Sequence, residues 1–449
     1  MNKDDLKRYS VIVDGGSGCL FQPMTDAYTY VLTAKHLFFD KKTDEQGQDY
    51  NVQKPDGTNI EISRFIQIPT GWDEKVIPFE LQEGETYFPH KDADIAILKI
   101  EPAIEGFEKI SIEEIFKEPD KYELCGFPSN VRDTRDYTTH KLENFISSNG
   151  YFHSARLFGT LRQDDIEGMS GCGILSIFND NISIIGIQSK MGNQIFPAGE
   201  IGFVQIKYFN EIVEYVDYKE KLSKLFPPYM KNFDFLLEDC FALEVDEIDE
   251  TKIQGARTIL RNKAFEITQS DITPIGIKEF FNERLLINEK ELSCLSHKKV
   301  WISWLEFLVI MNMMKYEELN SDMLSELFNS YRLKFINTDD WTGIFRTDLL
   351  KSDYIGLKEN STVVVNTRNS PKTTMNLHFP KGRMIDIGVV YEKRGFRTDM
   401  GLDPYTSFNF VHLDFFKTKC IIEKLDQYKN LSEPELIEKI KSEYNELFS

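Results

Sequence analysis

Apolar and polar positions change rhythm along this chain, and the change separates a strand-rich first half from a more helical second half. Tyr30 to Phe38 (YVLTAKHLF) is a continuous apolar run that closes on a histidine. Lys91 to Ile100 (KDADIAILKI) brings an aspartate into a second such run, and Ile184 to Ser189 (IIGIQS) is a third. Short unbroken apolar runs of this kind predict strands. Phe209, Ile212, Val213 and Val216 recur at i, i+3, i+4 and i+7, which predicts a helix with one buried face. Pro227 and Pro228 then end the helical pattern and leave an extended link.

Beyond the prolines, residues 229–300 mix acidic runs such as Glu244 to Glu250 with helical segments at Ile259 to Phe265 and Ile277 to Leu286. From Lys299 to Phe335 the pattern is long, apolar and helical, with Trp301, Trp304 and Phe307 one turn apart, and it predicts a helical core. Ser361 to Asn366 (STVVVN) and Arg383 to Tyr391 (RMIDIGVVY) carry the β-branched content of strands. Glu433 to Leu447 returns to an amphipathic helix. The expected domains are residues 1–226, a helical connecting region over 229–298, and an α+β module over 299–449.

The chemistry concentrates in three places. Glu167 to Leu175 (EGMSGCGIL) sets a serine among small residues on a tight turn, His36 ends the first apolar run, and Asp94 enters the second. A serine hydroxyl is a weak nucleophile at neutral pH, and acyl transfer needs a base for its proton and a carboxylate to hold the base's tautomer. Histidine suits the base role. A glycine-rich turn can also aim backbone N–H groups at a developing oxyanion, which makes Gly168 and Ser170 candidate donors.

These segments resemble the trypsin-like, chymotrypsin-fold serine peptidases. That family carries threonine-alanine-any-histidine, then aspartate-isoleucine-alanine-leucine, then glycine-any-serine-glycine, matched here by Thr33, Ala34 and His36, by Asp94, Ile95 and Ala96, and by Gly168, Ser170 and Gly171. Ser17 to Leu20 and Cys125 to Pro128 (CGFP) are similar to two further family segments, and the likeness spans about residues 8–225. It implies an all-β double six-stranded barrel ending in a helix, with His36, Asp94 and Ser170 catalytic and Gly168 and Ser170 forming the oxyanion hole. It also implies that the strand ending at Ser189 pairs with an extended substrate and that Gly202-Phe203-Val204 lines a specificity pocket. Asp164, six residues before Ser170, stands where trypsin keeps its pocket acid and would favour Arg or Lys before the cut bond, whereas Lys190 and Met191 would narrow the pocket mouth.

Two departures change the picture. Met169 replaces the aspartate that zymogens pair with a freed N-terminus, so control by clipping is not expected; Cys172 replaces the second glycine after the serine. Between Arg368 and Arg397 the C-terminal module gathers Arg368, Lys372, Lys381, Arg383, Lys393, Arg394 and Arg397 against Asp386 and Glu392, either a solvated face or a docking surface. This module is faintly similar to the C-terminal domains of effectors in bacterial ABC-three-component conflict systems, which implies a regulatory protein partner, with an ATPase as the candidate.

Composition sets outer limits. At 449 residues the chain exceeds a single core, and its 41% hydrophobic and 13% aromatic content supports packed domains. A formal charge of −20 argues against general nucleic-acid binding, which depends on Lys and Arg neutralising phosphate. Six scattered cysteines and histidines outside metal-ligand spacing imply neither a metal nor another cofactor, and reduced thiols fit a cytoplasmic protein. No apolar leader is read at the start, and Val300 to Met314, interrupted by Glu306 and Asn312, falls short of a membrane span of roughly 20 residues. The expectation is a cytoplasmic bacterial serine endopeptidase acting on a protein or peptide, gated by its C-terminal module or a partner. The alternative is a catalytically silent peptidase fold that grips a peptide strand; a general quality-control protease lacks its peptide-binding module here.

Overall fold

The structure is a computed structural model that describes residues 3–44, 46–106, 110–112, 122–131, 136–159, 161, 163–178, 181–191, 199–243, 247–281, 298–314, 319–336, 341, 354, 356–367, 377–381 and 407–447. The chain divides into two compact units, Met1–Pro228 and Tyr229–Ser449.

In the first unit, β1 (Ser10–Val13), β2 (Gly16–Phe21), β3 (Thr29–Thr33), β6 (Thr58–Ile68), β7 (Gly71–Leu81), β8 (Tyr87–Pro89) and β9 (Ala96–Ile100) form one antiparallel sheet in the order β7-β6-β1-β2-β3-β9-β8; β4 (Phe39–Thr43) and β5 (Asp49–Gln53) make a separate hairpin. A second sheet orders β10 (Ser111–Ile112), β15 (Asn181–Met191), β14 (Gly173–Phe178), β11 (Tyr122–Gly126), β12 (Thr138–Asn149), β13 (Phe152–Leu157) and β16 (Glu200–Gln205). An added β15–β16 pairing closes six of those strands into a barrel, with β10 attached in parallel. The second barrel therefore has the expected six strands. The first is a seven-stranded sheet with no ladder joining its β7 and β8 edges among the described residues, so the six-strand expectation is corrected there.

The unbroken apolar runs are explained by burial on both faces. Along β3, Tyr30 and Leu32 enter a core shared by both sheets, while Val31 enters the interior of the first sheet. β6 instead alternates, with Ile60 and Ile62 inward and Glu61 outward, as a strand with one wet face does. Helix α1 (Lys207–Glu214) closes the unit by burying Phe209, Ile212 and Val213 in the shared core, each contributing about 1.5–3 kcal/mol. Val216, expected on the same face, is 80% exposed. Tyr215 turns extended at the helix end, its N–H donating to the Ile212 carbonyl, so the periodicity stops one turn early.

The second unit is α+β. Helices α2 (Glu247–Thr268), α3 (Pro274–Phe281), α4 (Lys298–Met314) and α5 (Met323–Ser330) precede a sheet ordered β17 (Tyr331–Ile336), β18 (Thr362–Thr367), β20 (Asn409–His412), β19 (His378–Phe379). The first three strands in that order run parallel and β19 antiparallel. Helix α2 packs against α4 within this unit. The helical reading of 299–335 is corrected at its end, where Tyr331–Ile336 is a fully buried strand. A strand buried on both faces loses the alternation that would distinguish it from a buried helix. Helix Glu433–Glu446 lies in the expected tail, opened by a capping box between Ser432 and Glu435. Arg383 to Tyr391 and the basic cluster lie outside the described residues except Lys381, which pairs with Glu359. Among the described residues no helix is long and apolar enough to cross a membrane.

Candidate active site

His36 sits on a short 3-10 turn, Lys35–Phe38, immediately after β3, and Asp94 lies two residues before β9, the strand paired with β3. Strand pairing thus brings residues 58 positions apart face to face. The His36 ring Nδ1 meets Asp94 Oδ2 at 2.7 Å, and the His36 backbone N–H donates to Oδ1 at 2.8 Å. One carboxylate therefore holds both the ring and the backbone of one histidine, leaving Nε2 without a partner among the described residues. The Ser189 hydroxyl donates to Asp94 Oδ2 at 2.5 Å. Burial pushes the Asp94 carboxyl upward, but the His36 ring and its charge, the Ser189 hydroxyl and the His36 N–H outweigh it. The group is held below the ordinary carboxylate value.

The loop carrying Asp94 is braced by His90, one of the histidines outside metal-ligand spacing. Its N–H donates to Ile95 O at 2.9 Å, and its Nδ1 accepts from the N–H groups of Ala93 at 2.8 Å and Asp92 at 3.1 Å. Nδ1 is thus an acceptor, so Nε2 carries the proton and donates to Glu211 of α1 at 3.1 Å. The Lys35 ammonium, next to His36, donates to the His90 carbonyl at 2.7 Å. The signal available in sequence was a histidine whose ring can reach N–H groups two and three residues on, the local capping habit usual for Asp and Asn.

Ser170 lies on the turn between the 3-10 segment Gln163–Asp165 and β14. The Ser170 carbonyl accepts the Ser17 N–H at 2.7 Å, the Ser17 hydroxyl donates to Gly168 O at 3.2 Å, and the Ser17 carbonyl accepts the Thr33 hydroxyl at 2.6 Å. Thr33 is the last residue of β3, three before His36. Gly171 adopts φ +92°, and a Cβ there would stand 1.8 Å from Ser17 O and 2.4 Å from Thr33 Oγ1, so only glycine fits. A Cβ on Gly16 would meet both the Leu37 side chain at 2.5 Å and Ser170 O at 2.9 Å. The serine turn and the histidine turn therefore close on the same short stretch of β2. Among the described residues no hydrogen bond joins the Ser170 hydroxyl to His36, and the Ser170 N–H has no acceptor. Gly168 has φ +86°.

The substitutions at 169 and 172 are both accommodated by burial. Met169 is fully buried in the second-barrel core, where an aspartate would need a charged partner. Cys172 is fully buried against Gly126, where an added Cβ would lie 1.8 Å from the Cys172 Sγ. The room removed from β11 is taken by a thiol on the serine turn.

The residues read as specificity candidates scatter. Asp164 is exposed on its 3-10 turn. Ser189 turns to Asp94, as described above. Gly202 pairs with Ser154 and Lys190, and a Cβ there would stand 2.2 Å from Phe152. Among the described residues no three His, Cys, Asp or Glu side chains are grouped to hold a metal, and Cys19, Cys125, Cys172, Cys240 and Cys420 are buried.

Residues 203–422 match the family described as C-terminal domain 4 of the ABC-three component (ABC-3C) systems. The C-terminal region of this chain is similar to that domain. The match begins at Phe203 in β16, takes in α1 with Glu211, and spans just under half the chain. Among solved structures, a catalytically active tobacco etch virus protease complexed with product aligns over 48% of this chain and 80% of its own at 17% identity, with a TM-score of 0.29. A catalytically inactive tobacco etch virus protease complexed with substrate aligns over 51% and 91% at 14% identity, also with a TM-score of 0.29. No curated protein matches the chain.

Proposed function

We propose that this protein is a serine endopeptidase working through His36, Asp94 and Ser170, with activity gated by its C-terminal region or by a partner protein. The observation that carries the reading is the double grip of Asp94 on His36, through ring Nδ1 at 2.7 Å and backbone N–H at 2.8 Å. That grip sets the tautomer in which Nε2 can accept a proton. In the reaction Ser170 Oγ attacks the scissile carbonyl while His36 Nε2 takes its proton. The N–H groups of Gly168 and Ser170 receive the oxyanion, and His36 returns the proton to the leaving amine before water releases the acyl group. The Ser170 N–H, without an acceptor among the described residues, suits that role. An unformed Ser170–His36 hydrogen bond is common before substrate binds.

The C-terminal match supports a place in a multicomponent defence system of the ABC-three-component kind, with a partner protein as the trigger. A silent binding module is the second reading. Fluorophosphonate labelling separates the two. Ser170→Ala should abolish labelling and lower turnover by on the order of 10⁴- to 10⁶-fold. Equal cleavage by S170A and wild type would end the peptidase reading.

A further inference from the structure

Gln188 is the residue of β15 that abuts the serine turn. Its carbonyl accepts the Gly171 N–H at 2.7 Å and its N–H donates to the Cys172 carbonyl at 2.9 Å, so its backbone is bonded to the two residues that follow Ser170. The next residue, Ser189, holds Asp94. Across the barrel seam Gln188 pairs with Phe203, which in turn pairs with His153 of β13. Its side chain is 0% exposed, and among the described residues neither Nε2 nor Oε1 has a hydrogen-bond partner. An amide buried with both ends unmet is costly, and native folds seldom keep one without a use.

On the peptidase reading above, we propose that Gln188 determines specificity by pairing with the substrate side chain that precedes the scissile bond, and that it selects a carboxamide, glutamine or asparagine. A carboxamide offers one donor and one acceptor to a group that lacks both, and two amides pair in either orientation. An aliphatic side chain would leave the Gln188 amide orphaned. A Lys or Arg side chain would surrender its hydration to a neutral group, and Asp164, the acid read from sequence as a counter-charge, is exposed instead.

The test uses the full chain and fluorogenic peptides that differ only in the residue before the bond, alongside fluorophosphonate labelling of Ser170. Wild-type kcat/KM for Gln or Asn should exceed that for Leu and Arg by on the order of 10²-fold or more, since a site built to hydrogen-bond rejects analogues that cannot. Gln188→Leu should bring the Gln-to-Leu ratio to about one or below; as a ratio it is independent of the fraction folded. A wild-type enzyme that labels at Ser170 yet prefers Arg or Leu overturns the assignment and leaves the peptidase reading standing, as does a Q188L protein that keeps the wild-type ratio. Wild type that neither labels nor cleaves, with or without partner proteins, overturns both.

Discussion

Asp94 carries the electrostatics of the candidate site, because three donors from two other segments converge on one carboxylate. Asp94→Asn should cost about 10⁴-fold in kcat by presenting the wrong hydrogen-bonding pattern to the ring. Removing a single donor is gentler. Ser189→Ala loses a hydrogen bond to a charged group, about 1.5–3 kcal/mol, and should raise the Asp94 pKa toward its ordinary value of 3.8. A depressed carboxylate stabilises the fold above that ordinary value and loses the contribution as pH falls through its lower folded value. Acid unfolding of S189A should therefore begin at higher pH than that of wild type; coincident acid transitions would contradict it. His36 and Asp94 were legible as short local patterns, since each ends or enters an apolar strand. The Ser189 bond was not, because it joins positions 95 apart. Nor was the state of Gln188, because a run such as IIGIQS does not reveal that one amide is buried unpaired.

Elements show where local pattern suffices and where tertiary context decides. Strands buried on both faces were readable as unbroken apolar runs, but the same property hid β17 inside a stretch that reads as helix. Helix α1 was readable from its period, and its end was not, because the Tyr215 turn is set by backbone conformation rather than side-chain hydrophobicity. The Cys172 substitution made sense only once β11 and the serine turn were seen together. Gly126→Ala should destabilise by roughly 1–3 kcal/mol through overpacking on the thiol, and Cys172→Gly in the same chain should recover much of that loss. Denaturant midpoints of the four proteins give the coupling, and additive losses would contradict the exchange of volume.

At the scale of the whole molecule, two units of different architecture should answer pH differently. In the C-terminal unit His412 is fully buried at the end of β20, its Nδ1 accepting the Asp414 N–H and its Nε2 facing the Thr367 hydroxyl at 3.0 Å. Burial, aided by the charges of Lys417 and Lys299 and opposed by Asp414, lowers its pKa from 6.5 to about 4. The unfolded chain then binds a proton that the folded one refuses. Stability is full above about pH 6.5 and falls by ~3 kcal/mol as pH drops toward 4. Trp301, Trp304 and Trp341 lie in this unit and only Trp72 in the other, so tryptophan fluorescence during urea unfolding reads mainly the C-terminal unit. His412→Phe should remove most of the pH dependence between 6.5 and 4, and an unchanged profile would contradict the assignment. The strongly acidic balance of the chain was plain in its composition. The parallel sheet was not, since its register joins strands separated by long intervening segments.

The most direct measurement is the mass of the covalent adduct formed when the full chain is treated with a fluorophosphonate, with and without candidate partner proteins, and mapped to its residue. The account predicts one adduct, on Ser170, lost in Ser170→Ala and strongly slowed in His36→Ala. An adduct on another residue, or equal labelling of the S170A chain, would contradict it.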